Sequence, residues 1–554
     1  MEKYNKNSVA ISSANSYLPQ QVNEAIDNIM ESLNLDVENP FKEFIKPGMR
    51  VFIKPNWVAS RWRESCDHKD NLYCVITHPA VIEAVADRVA KALDGKGEII
   101  IADNPSIDAD FEELMQFTGI RKLEKKYSVP CKIYDLRPLV CKDLKDYGIK
   151  AKMAHQSGDP LGEVQVNLGK ESLLYNVDSS LFRGVFNERE ETVAAHTKET
   201  QLYTYSKSLY DADVYISIPK LKTHQKVGAT LNLKGLVGSI TQKNQLVHWR
   251  VGSPETGGDE YPDLKSYIAS KSAKVTHRGA HPGNDTIWRM VGDLYQGLLK
   301  KDRKYFTIID GILGGEGQGP FCPTSKQSNV LIGGFDLLLA DIVAVRYMGM
   351  DPNKIKYLQY FIEKDNLNLN DIHVFKNNIE IKDYFTSKSL YADFQVKGAW
   401  DIIKVQKDNP KKKIIGYTTG VYDLFHIGHL NLLRKAKAQC DYLIVGVSTD
   451  DLVMYKNKRA VIPFEERMEI VKSIKYVDEV VPQVNMDKME AWEKLHFDVM
   501  FVGDDWKGTA KWIAYEKQLA EVGVKIVYFP YTKGTSSTLI NQVLVKLRDN
   551  ELTL

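Results

Sequence analysis

From Lys413 onward the sequence alternates short apolar runs with longer amphipathic ones, and no other feature constrains the fold as tightly. "KIIGYTTG", "DYLIVGVST", "DVMFVGDD" and "KIVYFP" read as strands. "IGHLNLLRKAKAQ", "PFEERMEIVKSI", "DKMEAWEKLH", "GTAKWIAYEKQLAEVG" and the closing "SSTLINQVLVKL" read as helices, with "VDEVVP" after the second of them. Short strands bounded by helices are the pattern of a parallel sheet covered on both faces. Residues 413–554 are therefore expected to form one α/β domain of Rossmann-like type. The charged, proline-containing "VQKDNPKKKIIG" precedes it, so residues 401–412 read as a linker. A chain of 554 residues is too long for one core. Residues 1–400 carry β/α signals of their own, such as "RVFIKPNWV" and "YFTIIDGILGG", and read as a multi-layer α/β region with its core at about 47–352. The polar stretches 143–204 and 241–285 read as long insertions, and "GGEGQG" (Gly314–Gly319) reads as a loop of close backbone approach.

Composition removes several classes of function. Lys and Arg number 74 against 72 Asp and Glu, a formal charge of +2, so no global field argues for nucleic acid. The six cysteines contain no Cys-x-x-Cys pair, which disfavours zinc ribbons and cysteine-ligated clusters and predicts reduced thiols in a cytoplasmic protein. The polar N-terminus lacks the apolar core of a signal peptide, and no apolar stretch approaches membrane-spanning length.

The chemistry concentrates in "GVYDLFHIGHL". His426 and His429 share a face of a helix that starts near Ile427. A metal site would need more than two imidazoles and Asp423, and no fourth ligand is evident. Gly420 and Gly428 permit close approach of a ligand to backbone, and the free N–H groups of a helix start favour an anion. A phosphate grip is the reading that fits.

Gly420 to His429 resembles the signature of the His-x-Gly-His nucleotidyltransferases, and among them the glycerol-3-phosphate cytidylyltransferase family. The likeness continues through "VSTDD", "YKNKRAVIPFEERMEIVKSIKYVDEVV", "FVGDDWKG" and "KGTSST". It implies transfer of CMP from CTP, with magnesium, to a small phosphorylated alcohol. The product would be a CDP-polyol such as CDP-glycerol, destined for a surface polymer. It further implies that His426, His429, Lys456 and Lys458 act on the triphosphate and the acceptor, and that Val421, Tyr422, Gly428, Asp505, Trp506, Thr532, Ser536, Ser537 and Thr538 bind nucleotide. Lys456, Lys475 and Lys488 would face the acceptor phosphate, metal ligands are not assigned, and the family implies a homodimer through this domain. Tyr531 in "YTKGTSST" and Lys475 in "KYVDEV" stand where that family has arginine, and Met486 and Met489 where it has tryptophan and lysine. A lysine does not reproduce a bidentate fork, so the acceptor is less constrained than the reaction. An amino-alcohol phosphate or a phosphonate is an alternative acceptor, and a nucleotide-sensing domain that regulates the first part is an alternative role.

In the first part, "FIKPNW", "THPAVIEAV", "ISIPKLKTHQKVGATLNLKGLVG", "IIDGILGGEGQGP" and "GGFDLLLADIVAVRYMGMDP" resemble the family catalogued as domain of unknown function 362, over roughly Pro47 to Pro352. Some relatives carry a ferredoxin-like cluster segment, which has no counterpart here. Lys220, Lys222, His224 and Lys226 alternate, which places them on one side of an extended backbone and, with Lys54, predicts an anion cradle. Asp310, Glu316 and Asp341 lie after or at the ends of apolar strands. They read either as acids for a hard cation or for acid–base work, or as caps of helices and turns.

Overall fold

The computed structural model describes residues 5–141, 153–184, 189–273, 278–387, 392–405, 414–455, 459–530, 532 and 537–548. The chain divides into two compact units between Val405 and Gln406. Among the described residues, no helix is long and apolar enough to cross a membrane.

The first unit is built on an eleven-stranded mixed sheet. Its strands are β1 (Ser8–Ser13), β2 (Arg50–Pro55), β3 (Glu98–Asp103), β4 (Cys131–Asp135), β5 (Val214–Ile218), β6 (Lys220–His224), β7 (Gly228–Ala229), β8 (Lys304–Gln318), β9 (Cys322–Gly334), β10 (His373–Lys376) and β11 (Ile379–Glu380). The order is β11-β10-β1-β9-β8-β5-β2-β3-β4, with β6 pairing β8 and β7. Alternation along β2 sends Val51 and Ile53 to one face and Phe52 to the other, as the period of a strand requires. The Val51 face is covered by helices α1 (Pro19–Ser32) and α2 (Pro79–Leu93). The Phe52 face is covered by α3 (Leu231–Gly235), α4 (Ile287–Leu299) and α5 (Leu337–Tyr347). Pro79 opens α2 and the His78 ring accepts from the Ala80 N–H, while Asp336 accepts from Leu338 and Leu339 at the start of α5.

Two expectations are corrected here. "GGEGQG" is not a loop: Gly314 to Gln318 belong to β8 and pair antiparallel with β9 as far as Gln318 opposite Cys322. Glycines fit there because side chains would collide; a Cβ on Gly315 would stand 2.5 Å from the Cys74 carbonyl oxygen. Nor are all cysteines thiols, because Cys66 and Cys322 form a disulfide across 256 residues of sequence. A pairing of that span leaves no trace in local spacing. The supposed insertions also hold elements, among them the strand pair Glu163–Asn167 with Leu202–Ser206.

The second unit is a five-stranded all-parallel sheet: β12 (Ile415–Gly420), β13 (Tyr442–Ser448), β14 (Glu479–Gln483), β15 (Val499–Gly503) and β16 (Lys525–Phe529), in the order β14-β13-β12-β15-β16. Helices α6 (Ile427–Lys437), α7 (Phe464–Lys472), α8 (Lys488–Leu495), α9 (Ala510–Glu521) and α10 (Ser537–Arg548) alternate with the strands. Successive residues of β13 divide between two cores, Leu443, Val445 and Val447 in one and Ile444 in the other, so both faces are covered. The first strand lies in the middle. The chain therefore changes direction of winding beside it, which in such sheets opens a crevice at the carboxyl ends of the strands.

Candidate active site

The last residues of all five strands, Gly420, Ser448, Gln483, Gly503 and Phe529, line one cavity of about 440 Å³. Beyond Gly420 the backbone turns through left-handed conformations at Tyr422 (φ 55°) and Leu424 (φ 45°) and enters α6 at His426. The buried Tyr422 ring lies 5.2 Å from that of His429, which is also 5.4 Å from Phe425. These contacts hold the loop in its unusual shape.

The two histidines cap the helix. His426 Nδ1 accepts the Gly428 N–H at 3.0 Å, and His429 Nδ1 accepts the His426 N–H at 3.4 Å. The rings stack with centroids 4.1 Å apart. An Nδ1 that accepts cannot carry the proton of a neutral imidazole, so each ring keeps its proton on Nε2. Burial, the neighbouring His426 ring and, acting the other way, Asp423 leave the His429 pKa at about 4, and burial also lowers that of His426. Both imidazoles are thus neutral near pH 7, with two N–H donors remaining for an acceptor at a helix N-terminus.

The surroundings of the pair are fixed by two further side chains. Asp423 accepts the Val461 and Ile462 N–H groups, each at 2.9 Å, and its backbone carbonyl accepts the Ser537 hydroxyl at 2.8 Å. Arg467, fully buried on α7, donates to the carbonyls of Val421, Ser448 and Ile462 and pairs with Asp450. It holds three loops together without facing the cavity.

Val421, Tyr422, Gly428, Asp505, Trp506, Thr532 and Ser537 line the cavity with the two histidines. So does Lys488, only 2% exposed, whose ammonium is 3.4 Å from the Thr419 hydroxyl. Lys475 is exposed after α7, near the Tyr476 ring, and is not part of that wall. Lys456, Lys458 and Ser536, and the side chain of Thr538, lie outside the described residues. Sequence reasoning missed Lys435, Lys511 and Gln483, which also line the cavity. Lys435 had a signal, since His429, Leu432 and Lys435 recur every three residues along α6.

The first unit's candidates separate. Lys54, Lys222 and His224 meet at a second cavity, of about 360 Å³. Lys220 does not: its ammonium is buried 2.8 Å from both Asp310 and the Tyr17 hydroxyl, and the Asp310 carboxylate also accepts from Tyr17 and the His78 N–H. The parity argument fails because the pairing of β6 with β8 shifts between Lys220 and Lys222, whose partners are Asp310 and Gly315. Glu316 pairs with Lys326 and accepts the Gln395 N–H. Asp341 accepts the N–H groups of Asn232 and Leu233 in α3 and is a structural anchor of that helix.

A parallel sheet with strand ends, glycines and a helix-capping histidine pair around one cavity is the construction of a nucleotidyltransferase domain. The family described as Cytidylyltransferase-like matches residues 417–544, and that described as Domain of unknown function (DUF362) matches residues 51–166 and 140–346. Glycerol-3-phosphate cytidylyltransferase of Bacillus spizizenii is 40% identical over 137 residues, 24% of this chain and 99% of that protein. FAD synthase of Thermococcus sibiricus is 30% identical over 139 residues, 25% of this chain and 94% of that protein. Ethanolamine-phosphate cytidylyltransferase of Arabidopsis thaliana is 32% identical over 153 residues, 26% of this chain and 35% of that protein. The chain belongs to the DUF362 family through its first unit and carries a cytidylyltransferase-like domain related to glycerol-3-phosphate cytidylyltransferase as its second.

Proposed function

We propose that the second unit transfers CMP from CTP to a polyol phosphate of the glycerol 3-phosphate type, giving a CDP-polyol and pyrophosphate. An oxygen of the acceptor phosphate attacks the α-phosphorus, the bond from that phosphorus to the β-bridging oxygen breaks, and pyrophosphate leaves with the electron pair. Such a reaction needs two anions held in line and the developing charge stabilised, which is positioning and electrostatics. The observation that carries the reading is the histidine pair, whose Nδ1 atoms are both consumed by backbone N–H groups so that both Nε2–H groups remain for phosphate oxygens. Lys488 adds a desolvated cation to the same wall.

The polyol acceptor is supported by the 40% identity to glycerol-3-phosphate cytidylyltransferase. Among the described residues of the wall, Asp505 is the one carboxylate, and Trp506, Trp512 and Tyr515 are aromatic, a set that would also admit an ammonium headgroup, so the acceptor panel below includes ethanolamine and choline phosphates. The donor set also suits magnesium carried by the triphosphate. No described cluster of three or more His, Cys, Asp or Glu exists, Asp423 is engaged by backbone, and Asp505 would be the protein's contribution to an ion that keeps most of its waters. Bound there, magnesium would neutralise part of the triphosphate charge.

The test is pyrophosphate release by the full chain with magnesium, offering CTP and ATP against glycerol, ribitol, ethanolamine and choline phosphates. CTP-dependent release with a polyol phosphate is expected. His429→Ala should lower turnover by ~100-fold or more, the range for removing one donor from developing charge. Release with ATP alone, or full activity in the variant, overturns the reading.

A further inference from the structure

The cavity of the first unit lies between β2, β3 and β6, α3 and the segment 237–249. Its wall is cationic to a degree the chain's overall balance conceals. Lys54 is neutralised by Asp103 at 2.7 Å, and Arg63 by Asp108 at 2.9 Å. Lys222, Lys226, Lys234 and Lys243 face the same space, and none has a carboxylate partner among the described residues. Among the described residues, Lys222 and Lys243 donate only to backbone carbonyls, Val75 and Pro320 for the first, Asn104 and Val237 for the second. Lys226 lies 4.5 Å above the Trp249 ring. Lys234, on α3 and 8% exposed, has neither a hydrogen-bond nor an ion-pair partner among the described residues. An ammonium taken out of water and left unpaired costs several kcal/mol, so a protein keeps one where a ligand completes it.

The imidazoles at this cavity are set as a pair of opposites. His224 Nδ1 accepts the Lys226 N–H at 3.0 Å, which leaves its Nε2–H as a donor. His248 Nδ1 lies 2.8 Å from the Leu246 carbonyl oxygen and must donate to it, which leaves its Nε2 as a lone pair. Trp249, Phe321, Leu246 and Val237 supply the apolar part of the same wall. Gly238 lets β3 and β2 close the floor, since a Cβ there would stand 2.1 Å from Asp103 Oδ1. Gly235 has open space where its Cβ would be.

The geometry points to a binding site, in the first unit, for a small organic phosphate or diphosphate that brings two or more negative charges to Lys222, Lys226, Lys234 and Lys243 and lays an apolar or ring portion against Trp249. The volume, about 360 Å³, is of metabolite size. Burial lowers the lysines' pKa values, to about 7 for Lys222, Lys226 and Lys243 and about 8 for Lys234, so their amines are nucleophilic at neutral pH unless a ligand covers them. The test uses that property and reads single residues, so the second unit's reaction does not enter it.

The full chain is treated with limiting acetic anhydride at pH 7.5, alone or with millimolar pyrophosphate, inorganic phosphate or 1-naphthyl phosphate, and acetylation is located by peptide mass spectrometry. Fivefold or greater protection of Lys226 and Lys234 by pyrophosphate or naphthyl phosphate, with exposed lysines unaffected, is expected. Gly235→Leu, which fills the cavity, should abolish the protection, and so should Lys234→Gln, read at Lys226 should the first variant not fold. Equal protection by sodium chloride at matched ionic strength, no protection by any of the three anions, or protection that survives a folded Gly235→Leu overturns the assignment.

Discussion

At the scale of single residues, the function proposed for the second unit rests on where two protons sit. His426 and His429 each spend Nδ1 on a backbone N–H, so the tautomer is dictated by the helix start rather than by a ligand. Nitrogen NMR of the ligand-free protein at pH 7 should therefore show Nε2 protonated and Nδ1 bare in both rings, with His429 titrating near pH 4. A His429 midpoint at the free-imidazole value would mean that the ring is solvated and the cap is not formed. That two imidazoles would meet at a helix start was legible in the sequence, because i and i+3 spacing is local. The tautomer was not, because it depends on which N–H groups the left-handed turn at Tyr422 and Leu424 presents. The carbonyls that Arg467 gathers, from Val421, Ser448 and Ile462, belong to segments that no sequence pattern joins.

At the scale of elements, Asp423 is the clasp between the loop that carries the histidines and the segment that leads into α7. Its two oxygens receive the Val461 and Ile462 N–H groups. Asp423→Asn keeps the shape but turns one acceptor into a donor that faces an N–H. A loss of about 1–3 kcal/mol in stability of the second unit is expected, the usual cost of a buried donor left unmade. Hydrogen exchange at Val461 and Ile462 should accelerate, and KM for CTP should rise. Unchanged exchange at those two amides would show that the clasp is dispensable. The element order of this unit was legible because each apolar run is short and each helix is amphipathic, and both signals survive without tertiary information. In the first unit the hairpin of β8 and β9 was not. Its glycines mimic a loop in sequence, and only the Cys74 carbonyl, Pro323 and the Phe394 ring pressing on Gly314 and Gly315 reveal why a strand has no side chains there. The shift of pairing beside Lys220 was hidden for the same reason, since a bulge changes parity and is set by the partner strand.

At the scale of the whole molecule, a formal charge of +2 says nothing of how charge is distributed, and the first unit gathers around one cavity four lysines that have no carboxylate partner among the described residues. That arrangement has a consequence for stability whose sign is fixed. The folded pKa values of Lys222 and Lys234 lie at about 7 and about 8, while the unfolded value is about 10.4. Between those limits the unfolded chain binds more protons than the folded one, so stability rises with pH from about 7 to about 10 and the penalty is full below about 7. For Lys234 alone the shift corresponds to about 3 kcal/mol at pH 7. Lys226 and Lys243, lowered to about 7 by burial, act in the same direction. Calorimetry of the full chain at constant ionic strength should show the transition of the first unit moving up as pH is raised from 7 to 9. Lys234→Met, which replaces an unpaired desolvated cation by an apolar side chain of similar length, should raise that transition at pH 7 and flatten its slope. The same variant should lose protection by pyrophosphate. A gain in stability coupled to a loss of binding is the pattern of a group kept for a ligand and not for the fold. A variant that is less stable than the parent at pH 7 would instead mean that Lys234 is held by favourable contacts, and the cavity would lose its strongest reason for being a site.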